Sequence, residues 1–110
     1  MRDVFMDELL LITPLHDTAG VRLYGEVIGV HRAPLAVVVA EHSRNADEIT
    51  VDLTRVEYVS NAILETLVVL ARRLVPPQHL CVRATSELGL QERLVAHGWD
   101  DIESLQVSAA

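Results

Sequence analysis

A chain of 110 residues, half of them hydrophobic, has the length of one domain and enough apolar side chain for a core. Its 16 acidic against 9 basic residues give a formal net charge of −7, which argues against non-specific binding to nucleic acid or to an anionic membrane. The single cysteine, Cys81, excludes an internal disulfide, and the longest apolar run, residues 33–40, is far shorter than the ~20 residues a membrane span needs.

Residues 7–13 and 20–27 read as strands, separated by a turn rich in Pro, Asp and Gly. In the second strand Val21, Leu23 and Gly25 share one face, and Arg22 and Tyr24 the other. Residues 33–44 fit a buried strand by their three valines, and a helix by their length and by Pro34 near the start. Periodicity does not decide between the two. Residues 48–53 form a strand with Ile49, Val51 and Leu53 on one face. A helix follows over 61–75, its stripe made by Ile63, Leu64, Leu67, Val68, Ala71, Leu74 and Val75, and Pro76-Pro77 stop it. Residues 79–84 are a strand in which Cys81 reads as a small buried hydrophobe. Ser86 caps a last helix that buries Leu90, Leu94 and Val95. Gly98 terminates it, and Trp99 packs back on its last turn. Residues 102–107 suggest one more strand, and 106–110 a frayed end. Alternating strands and helices in the second half define an α/β sheet with crossover helices.

Chemistry is hard to place on this pattern. No Gly-rich phosphate loop, no HExxH and no CxxC is present, and the five histidines read as solvated. No metal, cofactor or catalytic residue is therefore expected. The corner at residues 56–64, a strand turning into a helix, is the remaining candidate. A helix start offers unpaired N–H groups and a positive dipole end. Ser60 is the hydroxyl at the helix start, and on its own it reads as the helix N-cap.

Residues 49–74 resemble the central signature of STAS domains, the anti-sigma-factor antagonists and their relatives. That signature runs roughly V-V-x-D-L-S-x-V-x-F-[IM]-D-S-S-G-L-G and continues into an amphipathic helix. Val51, Asp52 and Leu53 match it, Thr54 stands in the Ser place, and Val56, Tyr58, Val59 and Leu64 fall on its apolar places. Residues 21–27 are similar to the family's second strand, and 80–102 to its closing strand and helix, so the likeness covers most of 8–105. The resemblance implies a single STAS-like domain over 1–110 with its core at about 8–105. Its expected fold is α/β, a small mixed β-sheet with helices packed mainly on one side, and it makes residues 33–44 a helix.

The resemblance also implies a non-enzymatic protein-binding module in bacterial transcription regulation, without a cofactor; a cytoplasmic location is expected because no apolar run is long enough for a membrane span and the N-terminal residues do not resemble a signal peptide. Its partner would be an anti-sigma factor with serine-kinase activity, and a homodimer is allowed. In the antagonists that kinase phosphorylates the second Ser of D-S-S-G-L, and the added charge breaks the complex. Here Ser60 stands in the Asp place, Asn61 in that of the first Ser, Ala62 in that of the acceptor, Ile63 in the Gly place and Glu65 in that of the second Gly. Ala62 cannot carry a phosphate, and Ser60 is a weak alternative acceptor. The expected partner-binding residues are Asp52, Thr54, Ser60, Asn61, Ala62, Ile63 and Glu65. Two consequences compete: a permanently binding-competent antagonist, since Ala is close in size to an unmodified Ser, or a scaffold whose ancestral interface is lost through Ile63 and Glu65. A nucleotide or small-ligand sensor is a further alternative.

Overall fold

The computed structural model describes residues 4–109. Strands β1 (Phe5–Met6), β2 (Leu10–Pro14) and β3 (Gly20–Val27) come first, followed by a single 3-10 turn at Gly29–His31. Helix α1 (Arg32–Ser43), strand β4 (Glu48–Val59), helix α2 (Asn61–Arg72), strand β5 (His79–Ala84), helix α3 (Leu90–Ala96) and strand β6 (Leu105–Ala109) complete the chain. The six strands form one sheet in sequential order. The β1–β2 and β2–β3 pairs are antiparallel, and β3–β4, β4–β5 and β5–β6 are parallel. The sheet is mixed because β1–β3 are joined by short turns, whereas each later strand returns through a helix.

One face of the sheet carries the core. Leu10, Ile12, Val21, Leu23, Ile49, Val51, Leu53, Leu80 and Val82 pack there against Leu35, Val38 and Val39 of α1, Ile63, Leu64 and Leu67 of α2, and Leu90 of α3. The opposite face is polar, with Arg22, Asp52, Cys81 and Arg83 at alternate positions of β3, β4 and β5. Segment 33–44 is the helix implied by the resemblance, and Val21 and Leu23 point into the core as expected.

Several expectations are corrected. Strand β4 runs to Val59, not Leu53. Its pairing with β3 shifts twice, between Arg22/Tyr24 and between Gly25/Glu26, with the extra residues in β4. These two bulges place Leu53, Val56 and Val59 all in the core at intervals of three, so the alternation of two that marks a strand disappears. Helix α2 ends at Arg72, with Arg73 as its cap, so Leu74 lies beyond it and Val75 is exposed. Ser86 does not cap the last helix: Ser86–Leu88 form a 3-10 turn, and left-handed Gly89 precedes α3. Leu90 and Leu94 are buried there, but Val95 is exposed.

The helix end is as read. His97 is the C-cap, the Gly98 N–H donates to the Val95 carbonyl (3.0 Å), and the Trp99 N–H donates to that of Leu94 (2.9 Å). This is a Schellman ending. Residues 106–109, expected to fray, pair with β5 up to Ala84↔Ala109; Ala110 lies outside the described residues.

Candidate functional site

The corner between β4 and α2 is built from three segments distant in sequence. Ser60 is extended (φ −74°, ψ 159°), and its Oγ accepts the Ile63 N–H at 3.3 Å, so it is the N-cap of α2. Its own N–H donates to the Val27 carbonyl at the end of β3 (3.1 Å), which fixes where the helix starts. Asn61 and Ala62 are then the first two helical residues, and neither N–H has a partner within the helix. Arg93 of α3 closes the corner from the other side. Its Nη2 donates to the Val59 carbonyl (2.7 Å) and to Asn61 Oδ1 (2.9 Å), tying strand end and helix start together.

The third segment is the 3-10 turn after β3. A Cβ placed on Gly29 would lie 3.6 Å from that of Ala62, so this turn stands directly against Ala62. The turn is anchored by His31, which is fully buried. The Ile28 N–H donates to His31 Nδ1 (3.0 Å), so the ring's proton sits on Nε2 and is directed at Asp7 Oδ2, 2.7 Å away. Asp7 Oδ1 in turn accepts the Leu9 and Leu10 N–H groups, both at 2.8 Å. Those two backbone donors, with the His31 ring, hold the Asp7 carboxyl below its ordinary value. His31 is therefore a structural core residue, against the expectation that all five histidines are solvated.

The expected interface residues separate into two groups. Asn61 and Glu65 are exposed, and Ser60 and Ala62 are half-buried at the surface. Thr54 is half-buried further back. Ile63 is fully buried and belongs to the core, so its branched side chain does not stand in front of a partner. Asp52 is 1% exposed on the polar face of the sheet. Its Oδ1 accepts from the Thr54 hydroxyl (2.6 Å) and N–H (2.9 Å), and its Oδ2 from Arg22 Nε (3.0 Å). Burial, the largest single influence, opposes its ionisation. The Thr54 and Arg22 donors together outweigh burial and hold the carboxyl below its ordinary value. Asp52 and Thr54 thus stabilise the first bulge of β4, which aims the strand end at the corner.

Three residues of the site have no sequence signal. Arg93 reaches it across more than thirty positions, Val30 (73% exposed) stands on the turn beside Ala62, and Arg32 begins α1. Arg32, Ala33, Ala36, Glu65, Thr66, Val69, Leu70 and Arg73 line a shallow trough between α1 and α2, about 340 Å³, which starts at the corner. Val69 is an exposed apolar residue of this trough, and exposed Val37 lines an adjoining depression. Among the described residues no helix is long and apolar enough to cross a membrane.

No family model matches the chain, and no curated protein matches it in sequence. Its architecture does match a solved structure. An anti-sigma factor antagonist from Mycobacterium paratuberculosis superimposes with a TM-score of 0.71 over 88% of this chain and 85% of that one, at 19% identity. The chain therefore has the STAS fold, as its central signature implied.

Proposed function

We propose that this chain is a protein-binding regulatory module of the anti-sigma-factor-antagonist kind, without catalytic activity, whose recognition surface is the start of α2 and whose position 62 is held in the form of an unphosphorylated serine. The observation that carries the reading is Ala62 itself. It is the second residue of a properly capped helix, partly open to solvent, beside exposed Asn61 and Glu65 and against Gly29 of the 3-10 turn. A phosphorylatable residue there would place its charge at the positive end of α2, where phosphorylation can switch an interface. Alanine keeps the surface and removes the switch. The burial of Ile63 supports retention of the surface, because it takes one of the two substitutions thought to disrupt it out of reach of a partner.

The partner in this reading is a serine-kinase anti-sigma factor, and the setting is transcription control in a bacterial cytoplasm. The apolar trough beside Glu65 supplies contact area of the kind a protein partner uses. Glu65, exposed in the first turn and a half of α2, favours a second reading, a partner whose facing surface is basic instead of the usual kinase.

The test is calorimetric titration of this chain into the serine-kinase anti-sigma factors of its own organism. The wild type binds one of them, and Ala62→Asp abolishes that binding while leaving the fold intact, since an acid at a helix start is favourable. Binding of no such kinase by the wild type overturns the first reading. Equal binding by Ala62→Asp overturns the placement of the surface.

A further inference from the structure

Among the described residues one group of three brings metal-ligating atoms together, and it lies on the polar face of the sheet, away from the corner. Glu48 opens β4 and pairs with His79, the first residue of β5. His79 and Cys81 are two positions apart on that strand and so share a face, while Leu80 between them enters the core. Cys81 was expected in the core. It is instead half-exposed, with Sγ 3.3 Å from Glu48 Oε2 and 3.5 Å from Gln106 Oε1 of β6. His79 Nε2 lies 3.1 Å from the same Glu48 Oε2. The Glu48, His79 and Cys81 donor atoms all fall within 4.8 Å of one another.

We propose that Glu48, His79 and Cys81 bind one divalent transition-metal ion of borderline softness, of the Zn2+ class, as a clip across β4 and β5. Around a tetrahedral zinc with bonds of about 2.0 Å to N and O and about 2.3 Å to S, ligand atoms are separated by roughly 3.3–3.6 Å. The separations from Glu48 Oε2 to His79 Nε2 and Cys81 Sγ, 3.1 and 3.3 Å, are close to that, and the third pair, within 4.8 Å, is brought together by side-chain rotation. The donor set of one thiolate, one imidazole and one carboxylate suits zinc or cobalt, and does not suit magnesium or calcium.

The imidazole is also oriented for the task. His79 Nδ1 lies 3.3 Å from the Pro77 carbonyl oxygen, which places a proton on Nδ1 and turns Nε2 toward the cluster. Without metal, the thiol of Cys81 is directed at Glu48 Oε2. On binding, the thiol proton leaves to solvent, and thiolate, carboxylate and the Nε2 lone pair face the ion.

The test is titration of Co2+ into the untagged chain under reducing conditions, followed by absorbance. One equivalent produces a thiolate-to-cobalt charge-transfer band in the near ultraviolet together with visible bands of a four-coordinate ion, and one equivalent of Zn2+ removes both. Cys81→Ser, nearly the same size, loses the charge-transfer band with an unchanged circular dichroism spectrum. His79→Ala weakens Co2+ binding at least about 100-fold. His97→Ala, which alters a ring stacked on Trp99 outside the cluster, changes nothing. No charge-transfer band at one equivalent overturns the proposal. So does a band that His79→Ala leaves unaltered, which would mean cysteine binding the metal without the site.

Discussion

Replacing Asp52 by alanine tests how the polar face holds the corner in place. Asp52 is 1% exposed and accepts two bonds from Thr54, at 2.6 and 2.9 Å, and one from Arg22 Nε at 3.0 Å, with Arg22 Nη2 completing the ion pair at 3.0 Å. Removing one member of a buried ion pair costs about 3–5 kcal/mol when the other is left buried. The Arg22 side chain is 37% exposed and regains water, so the expected loss is smaller, about 2–3 kcal/mol. For a chain of 110 residues the unfolding entropy near the midpoint is about 0.23 kcal/mol/K, which converts that loss into a fall in Tm of about 9–13 °C.

The dependence on pH follows from the direction of the Asp52 shift. Its folded carboxyl titrates below the ordinary value, so between the two values the unfolded chain binds more protons. The stabilisation is complete above the ordinary carboxylate value and is lost as pH falls through the folded one. The Tm difference between wild type and Asp52→Ala is therefore constant from about pH 5 to 7 and shrinks below about pH 4. Thermal melts followed by circular dichroism across this range measure it. A fall in Tm under about 3 °C at pH 7, or a difference that persists unchanged at pH 3, refutes the reasoning.

Two further substitutions probe the frame around the site. Ser60→Ala removes the α2 cap; because the bond is long at 3.3 Å, the loss is at the low end for caps, about 0.5–1 kcal/mol or a few degrees of Tm, and an unchanged melt rules out a stabilising cap. Gly25 has φ +105°, and a Cβ there would collide with the Leu9 carbonyl oxygen, so Gly25→Ala is expected to cost more than about 3 kcal/mol in urea unfolding; a loss under about 1 kcal/mol contradicts the β2–β3 packing.

What could be read from the sequence follows from how local each cause is. The stripe of α2 as far as Ala71 and the Gly98–Trp99 ending depend on residues within one or two turns and were legible, whereas Leu74 and Val75, read onto the stripe, lie past the helix end. The second half of β4 was not, because its two bulges are set by pairing with β3 and erase the alternation that marks a strand. The helical state of 33–44 came from the resemblance, since three valines serve a buried helix as well as a strand. The paired end of β6 depends on β5 presenting a free edge, which residues 106–109 do not reveal.

At the site, Ser60 as cap and Ala62 at the helix start were legible from the corner alone. Arg93, the Gly29–His31 turn and the burial of His31 were not, since each depends on a contact made across 24 or more positions. The same holds for the Glu48–His79–Cys81 group. It has no motif spacing because Glu48 and His79 meet only through the register of two parallel strands.

The central claim, a recognition surface without its phosphorylation switch, is tested most directly by mixing the chain with the serine-kinase anti-sigma factor it is proposed to bind and ATP, then reading affinity and intact mass together. The wild type should keep the same affinity with and without ATP and gain no phosphate, while Ala62→Ser should gain one phosphate and release the kinase. Stoichiometric phosphate on Ser60 or Thr54 of the wild type, accompanied by release, would contradict the account.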